Sequence, residues 1–166
     1  MDGGTIVIKS VDIHKRAGAF YVQSFDSTTD KYPLFFQGTW MKKMAGDVPD
    51  ADLGRAVREA MAASHAEDWP GGDTLRDEVA RRRKGLFRLA GVRARSERQY
   101  QTGLSAVSID CEPGAEQYQV TKFINRDPGK DLVGSEIEHM VPVECPDDVL
   151  GATIRSLLSD KGGEPG

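Results

Sequence analysis

At 166 residues, with 39% hydrophobic and 29% charged side chains, the chain fits one domain that can bury a sizeable core beneath a well-solvated surface. No apolar run approaches the length that spans a bilayer, and Met1-Asp2-Gly3-Gly4-Thr5 has neither the basic start nor the apolar stretch of a secretory leader, so a cytosolic protein with no membrane partner is expected. The net charge of −4 is unevenly spread, at −2 over residues 1–72, +5 over 73–103 and −7 over 104–166. An acidic last third attracts basic partners and repels nucleic acid.

Thr5 to Ile13 is rich in Ile and Val and reads as a strand, followed by a basic turn and Gly18. Ala19 to Phe25 is a second strand, with Phe20 and Val22 on one face and Tyr21, Gln23 and Phe25 on the other. Leu34 to Met44 is an aromatic-rich third strand with Gly38 as a bulge candidate. A helix is predicted from Pro49, because a proline at the first helical position loses no hydrogen bond. Asp50 and Asp52 suit its positive dipole end, and Leu53, Val57, Ala60 and Met61 form its apolar face. Gly54 inside it costs about 1 kcal/mol relative to alanine, which points to a close approach by a neighbouring element.

Pro70-Gly71-Gly72 breaks the chain, and Asp73 or Thr74 then caps a linker helix over about 74–90, ended by Gly91. Leu75, Val79, Leu86 and Leu89 give this helix a sparse apolar face, and Arg81 to Lys84 crowd its middle. Leu104 to Asp110, Tyr118 to Asn125 and Glu136 to Val143 read as three further strands, with a turn-rich loop over Asn125 to Gly134. In the last of them Glu136, Glu138 and Met140 share a face, and Ile137, His139 and Val141 share the other. A closing helix carries Leu150, Ile154, Leu157 and Leu158 as its apolar face, and Lys161 to Gly166 is a Gly-rich tail.

Pro49-Asp50-Ala51-Asp52-Leu53-Gly54-Arg55-Ala56-Val57-Arg58 returns 97 residues later as Pro146-Asp147-Asp148-Val149-Leu150-Gly151-Ala152-Thr153-Ile154-Arg155. Each copy follows strands and opens a helix. The expected fold is therefore α+β, a single domain over 1–166 of two strand-strand-strand-helix halves (about 5–65 and 104–160), mainly antiparallel, joined by the linker helix. A duplicated scaffold favours a displayed surface over an active-site elbow.

The repeated helix start, the linker string Leu86-Phe87-Arg88-Leu89-Ala90-Gly91-Val92-Arg93, the stretch Gly103-Leu104-Ser105-Ala106-Val107-Ser108-Ile109 and the second Leu150-Gly151 occur in one order. That order resembles the immunity proteins of bacterial contact-dependent growth inhibition systems, over residues 19–160. Ala94 and Arg95 depart from the serine and aromatic residue of the family pattern, and Arg81-Arg82-Arg83-Lys84 is more basic than it. The resemblance implies a non-enzymatic, cytoplasmic inhibitor whose partner is a cognate toxin C-terminal domain. Such toxins are often nucleases, and blocking the active site or its access to substrate neutralises them. A nuclease holds phosphates in a basic groove, so an acidic inhibitor is steered to it.

Candidate toxin contacts are Asp110, Glu112 and Glu116 around the turn before Tyr118, Asp127 and Asp131 in the following loop, and Glu136 and Glu138 on one strand face. No catalytic residue, cofactor or metal site is expected. His14, His65 and His139 are far apart, Cys111 and Cys145 make no CxxC, and G-x-S-x-G, G-x-G-x-x-G and P-loop patterns are lacking. The competing signal is basic. Arg81, Arg82, Arg83 and Lys84, with Arg88, Arg93, Arg95 and Arg98, could make residues 76–98 a nucleic-acid-binding segment that neutralises phosphates, pair with acidic groups of the last third and so unite the two halves, or meet a protein partner.

Overall fold

The computed structural model describes residues 7–69, 72–93, 97–101, 103–124 and 133–159, with the backbone alone at 72, 97–98, 124 and 133–137. Each half of the repeat is an antiparallel three-stranded meander followed by a helix. The first comprises β1 (Lys9–Arg16), β2 (Ala19–Thr28), β3 (Phe35–Ala45) and α1 (Asp50–Ala63). A short β4 (Ala66–Glu67), α2 (Gly72–Ala90) and the five-residue α3 (Glu97–Gln101) link it to β5 (Ser105–Cys111), β6 (Gln117–Ile124), β7 (Val133–Pro142) and α4 (Asp147–Ser159). The meanders join through β1 and β5, giving one sheet in the order β3-β2-β1-β5-β6-β7, while β4 runs parallel to the end of β2.

Alternation along the strands divides the sheet into two faces. Val11, Ile13, Phe20, Val22, Val107, Ile109, Val120 and Val141 point to one of them and are buried with Leu53, Val57, Leu150 and Ile154 of α1 and α4. The helices meet where the sequence repeats. A Cβ on Gly54 would overlap the carbonyl oxygen of Asp147, and one on Gly151 would overlap that of Asp50. Each glycine thus lets one helix rest on the first turn of the other.

Arginines lock this seam reciprocally. Arg58 donates from Nε to Asp147 Oδ1 at 2.6 Å, from Nη1 to the Val143 carbonyl at 2.7 Å, and from Nη2 to the Cys145 carbonyl. Arg155 does the same in the other copy, to Asp50 Oδ1 at 2.7 Å, the Gly46 carbonyl at 2.6 Å and the Val48 carbonyl. Every partner is displaced by the repeat offset of the sequence. Each guanidinium also lies over an aromatic ring, Arg58 over Tyr118 and Arg155 over Phe20.

Several boundaries differ from those predicted. Pro49 is the N-cap, extended at φ −57 and ψ 144, and the helix begins at Asp50. α2 begins at Gly72, one residue ahead of the predicted cap, and β3 begins at Phe35. The irregularity expected at Gly38 is present: the β2–β3 register shifts between Gln23 and Phe25, and a side chain at Gly38 would strike Ser24. α2 does end at Gly91. With φ at +72, Gly91 donates to the Arg88 carbonyl and Val92 to the Phe87 carbonyl, the paired closure that a left-handed glycine allows.

On the second face α2 and α3 bury Tyr21 with Leu86, Phe87, Val92, Tyr100 and Leu104. Leu75, Val79, Arg82, Leu86 and Leu89 make the inward stripe of α2, so an arginine occupies a core position. This layer lies over the β3 side of the sheet. Among the described residues no helix covers the same face over β5, β6 and β7, where Gln119, Glu138 and Met140 are exposed.

Candidate partner-binding surface

The uncovered half of the second face is a groove of about 530 Å³. Register places its side chains in two cross-strand rows. One runs Phe25, Ser10, Asp110, Gln119, Met140, and the next runs Gln23, Asp12, Ser108, Thr121, Glu138. Ile8, Phe35, Glu112, Ala115 and Gln117 complete the rim with the first row and with Asp12 and Ser108. Apolar groups therefore stand at both ends, with carboxylates between them. Phe35 is 49% exposed and Met140 57%, and Tyr32 and Leu34, just before β3, are more exposed still.

Asp110 sits at the centre. Ser10 Oγ donates to its Oδ1 at 2.6 Å, and among the described residues that hydroxyl is its one polar partner. Burial pushes the Asp110 carboxyl above its ordinary range; the Ser10 bond opposes this and the neighbouring Asp12 adds to it. Asp12 lies diagonally across the β1–β5 pair and stands 3.9 Å from His14 Nε2. A second cavity of about 320 Å³ continues under α2. It shares Asp12, Phe25 and Phe35, and holds His14, Gln23 and Tyr100, with His14 Nδ1 2.5 Å from the Tyr100 hydroxyl.

Of the residues singled out in the sequence, Asp110 and Glu112 line the groove, and Glu138 lies exposed on the same face. Glu116 is exposed on the β5–β6 connection and does not line it. Asp127 and Asp131 lie outside the described residues, as does the side chain of Glu136, whose backbone belongs to β7. Glu138 and His139 do point to opposite faces, paired with Thr121 and Val120 respectively. Sequence reading passed over Asp12, Phe25 and Met140 as site residues. The signal available was a polar residue inside an Ile/Val strand, Val11-Asp12-Ile13, which marks the face turned away from the main core.

Two residues of the basic run pair with acids outside the last third. Arg82 is buried. It donates to Asp26 Oδ2 at 3.1 Å, to the Gln37 carbonyl at 3.0 Å, to Glu78 Oε1 at 2.9 Å and to both oxygens of Glu67 at 3.3 Å. Arg81 binds Glu78. These acids belong to β2, β4 and α2 itself, and not to the last third. The link between halves is made instead by Arg58 and Arg155.

His65, also unforeseen, bridges two carboxylates, with Nδ1 3.3 Å from Asp26 Oδ1 and Nε2 2.8 Å from Glu67 Oε1. Asp26, His65 and Glu67 bring three ligand atoms within 4.8 Å of one another. The cluster has the donor types of a divalent site, but the Arg82 guanidinium already neutralises both carboxylates. Burial raises the Asp26 carboxyl, whereas Glu67 is lowered because Arg82, His65 and Trp69 together outweigh its burial. Arg81, then Arg82, hold Glu78 down to about 2.

No protein-family model matches the chain, and no curated protein matches it significantly. The fold is similar to those of solved structures, among them the following two. A protein of unknown function from Neisseria meningitidis (NMB0488) superposes with a TM-score of 0.72 at 12% identity, over 92% of this chain and 94% of that one. A chain of a CdiA-CT/CdiI toxin and immunity complex from Yersinia pseudotuberculosis superposes with a TM-score of 0.69 at 13% identity, over 92% and 97%. At such identity the likeness is one of fold. Among the described residues no helix is long and apolar enough to cross a membrane.

Proposed function

We propose that this chain is an immunity protein: a non-enzymatic cytoplasmic inhibitor that binds a cognate toxin C-terminal domain of a contact-dependent growth inhibition system through the open half of its sheet. The observation that carries the reading is the groove, whose central carboxylate has no cationic partner among the described residues while apolar side chains stand exposed at both ends. Such a surface suits a basic protein. Carboxylates steer and select it, and buried apolar anchors supply most of the affinity. A nuclease toxin, whose phosphate-binding groove is basic, has that character. Fold likeness to a chain of a toxin and immunity complex supports the same reading.

Co-expression with the C-terminal domain encoded immediately upstream tests it. Host survival together with a co-purifying complex is the expected result. Undiminished killing with no complex would remove the reading for that pair.

A further inference from the structure

Among the described residues three aspartates share one arrangement: a carboxylate, an arginine on it, and an aromatic ring beneath the guanidinium. Asp147 has Arg58 and Tyr118, Asp50 has Arg155 and Phe20, and Asp26 has Arg82 and Phe36, the last with the guanidinium carbon 5.4 Å from the ring centroid. The groove repeats two of these parts. Asp110 shares a cross-strand row with Phe25, and Phe35 lines the same groove. Among the described residues no arginine or lysine is paired with Asp110.

We propose that the groove receives one arginine side chain of the protein partner, its guanidinium set on Asp110 and Asp12 against the rings of Phe25 and Phe35. This rests on the binding function above and names the chemistry of its anchor. Arginine fits better than lysine for three reasons. Its planar fork can bridge two diagonal carboxylates, its faces stack on aromatic rings, and it is the more weakly hydrated cation to bring against a half-buried acid. Ser10 already occupies one Asp110 oxygen from the side of β1, so Oδ2 is left to accept from the fork.

The test uses the full chain and the upstream-encoded toxin domain. Asp110→Asn and, separately, the exposed Phe35→Ala should each weaken the complex, Asp110→Asn by about 30-fold or more. One arginine of the toxin domain, changed to lysine, should produce a similar loss that is not additive with Asp110→Asn. A tight wild-type complex that both variants leave unchanged would overturn the arginine anchor and leave the binding function standing. Absence of any wild-type complex would remove the binding function for that pair. The anchor is then read on the free protein by NMR titration with N-acetyl-argininamide. Saturable shifts at Ser10, Phe25 and Asp110, which N-acetyl-citrullinamide does not produce, support it. Equal shifts with the neutral analogue, or none with either, overturn it.

Discussion

The helix-covered parts of this protein and its open half-face treat carboxylates in opposite ways. At the α1–α4 seam and under α2, Asp50, Asp147 and Asp26 are each met by an arginine that also satisfies backbone carbonyls. Such pairing offsets the desolvation of the acid and ties distant segments together. On the open face, Asp110 keeps a half-buried carboxylate on which, among the described residues, only a serine hydroxyl stands. One region uses its charges to complete the fold. The other leaves the electrostatic account of its charge open to solvent or to a partner.

Removing Arg82 should break this contrast most severely. Asp26 is completely buried, so Arg82→Met removes its buried cationic partner, leaves it only the exposed His65, and should cost about 3–5 kcal/mol in denaturant-unfolding stability. Adding Asp26→Asn to that variant should restore a good part of the loss, because no uncompensated charge is then buried. A milder effect is expected at the seam. In an isolated helix Gly54→Ala or Gly151→Ala would gain about 1 kcal/mol. Here each should lose about 2–3 kcal/mol as the helices are forced apart. A gain in thermal stability would show that the seam is looser than its geometry.

Asp110→Asn should act least and with the opposite sign, stabilising the free protein by roughly 1 kcal/mol at neutral pH. The pH dependence follows from linkage. The Asp110 carboxyl is raised in the folded state, so the fold holds this proton more tightly than the unfolded chain does. Its penalty is absent below the ordinary carboxylate range, grows as pH rises through the raised value, and is constant above it. The stability difference between Asp110→Asn and wild type should therefore open just above pH 4 and then level off. A difference independent of pH would mean that the carboxylate is no worse off in the fold than outside it.

Much of the architecture is legible in the chain. The repeat at Pro49 and Pro146 marks both helices of the seam. The Ile/Val alternation marks the strands and their faces, and Gly54 announces a close approach that α4 makes. The acidic candidates were found less evenly. Asp110 and Glu112 stand out by sequence, but Asp12 on β1 does not, since nothing local says that β1 will lie beside β5. Arg82 was the harder case. A run of four basic residues does not show which of them turns inward, and only the neighbourhood of Asp26, Glu67 and Gln37 makes Arg82 a core residue.

The sequence by itself determined the local order: three strands and a helix, a linker helix, and the same again, with the apolar face of each element written in its period. Tertiary structure alone decided what those faces meet. Period fixes which side chains share a face, but the pairing of β1 with β5 sets Ser10 against Asp110 across 100 residues of chain. The placement of α2 over one half of the sheet leaves the other half without a covering helix among the described residues. Contacts between residues so far apart depend on which packing buries the most apolar surface while leaving the fewest charges unmatched, and no stretch of the chain carries that comparison alone.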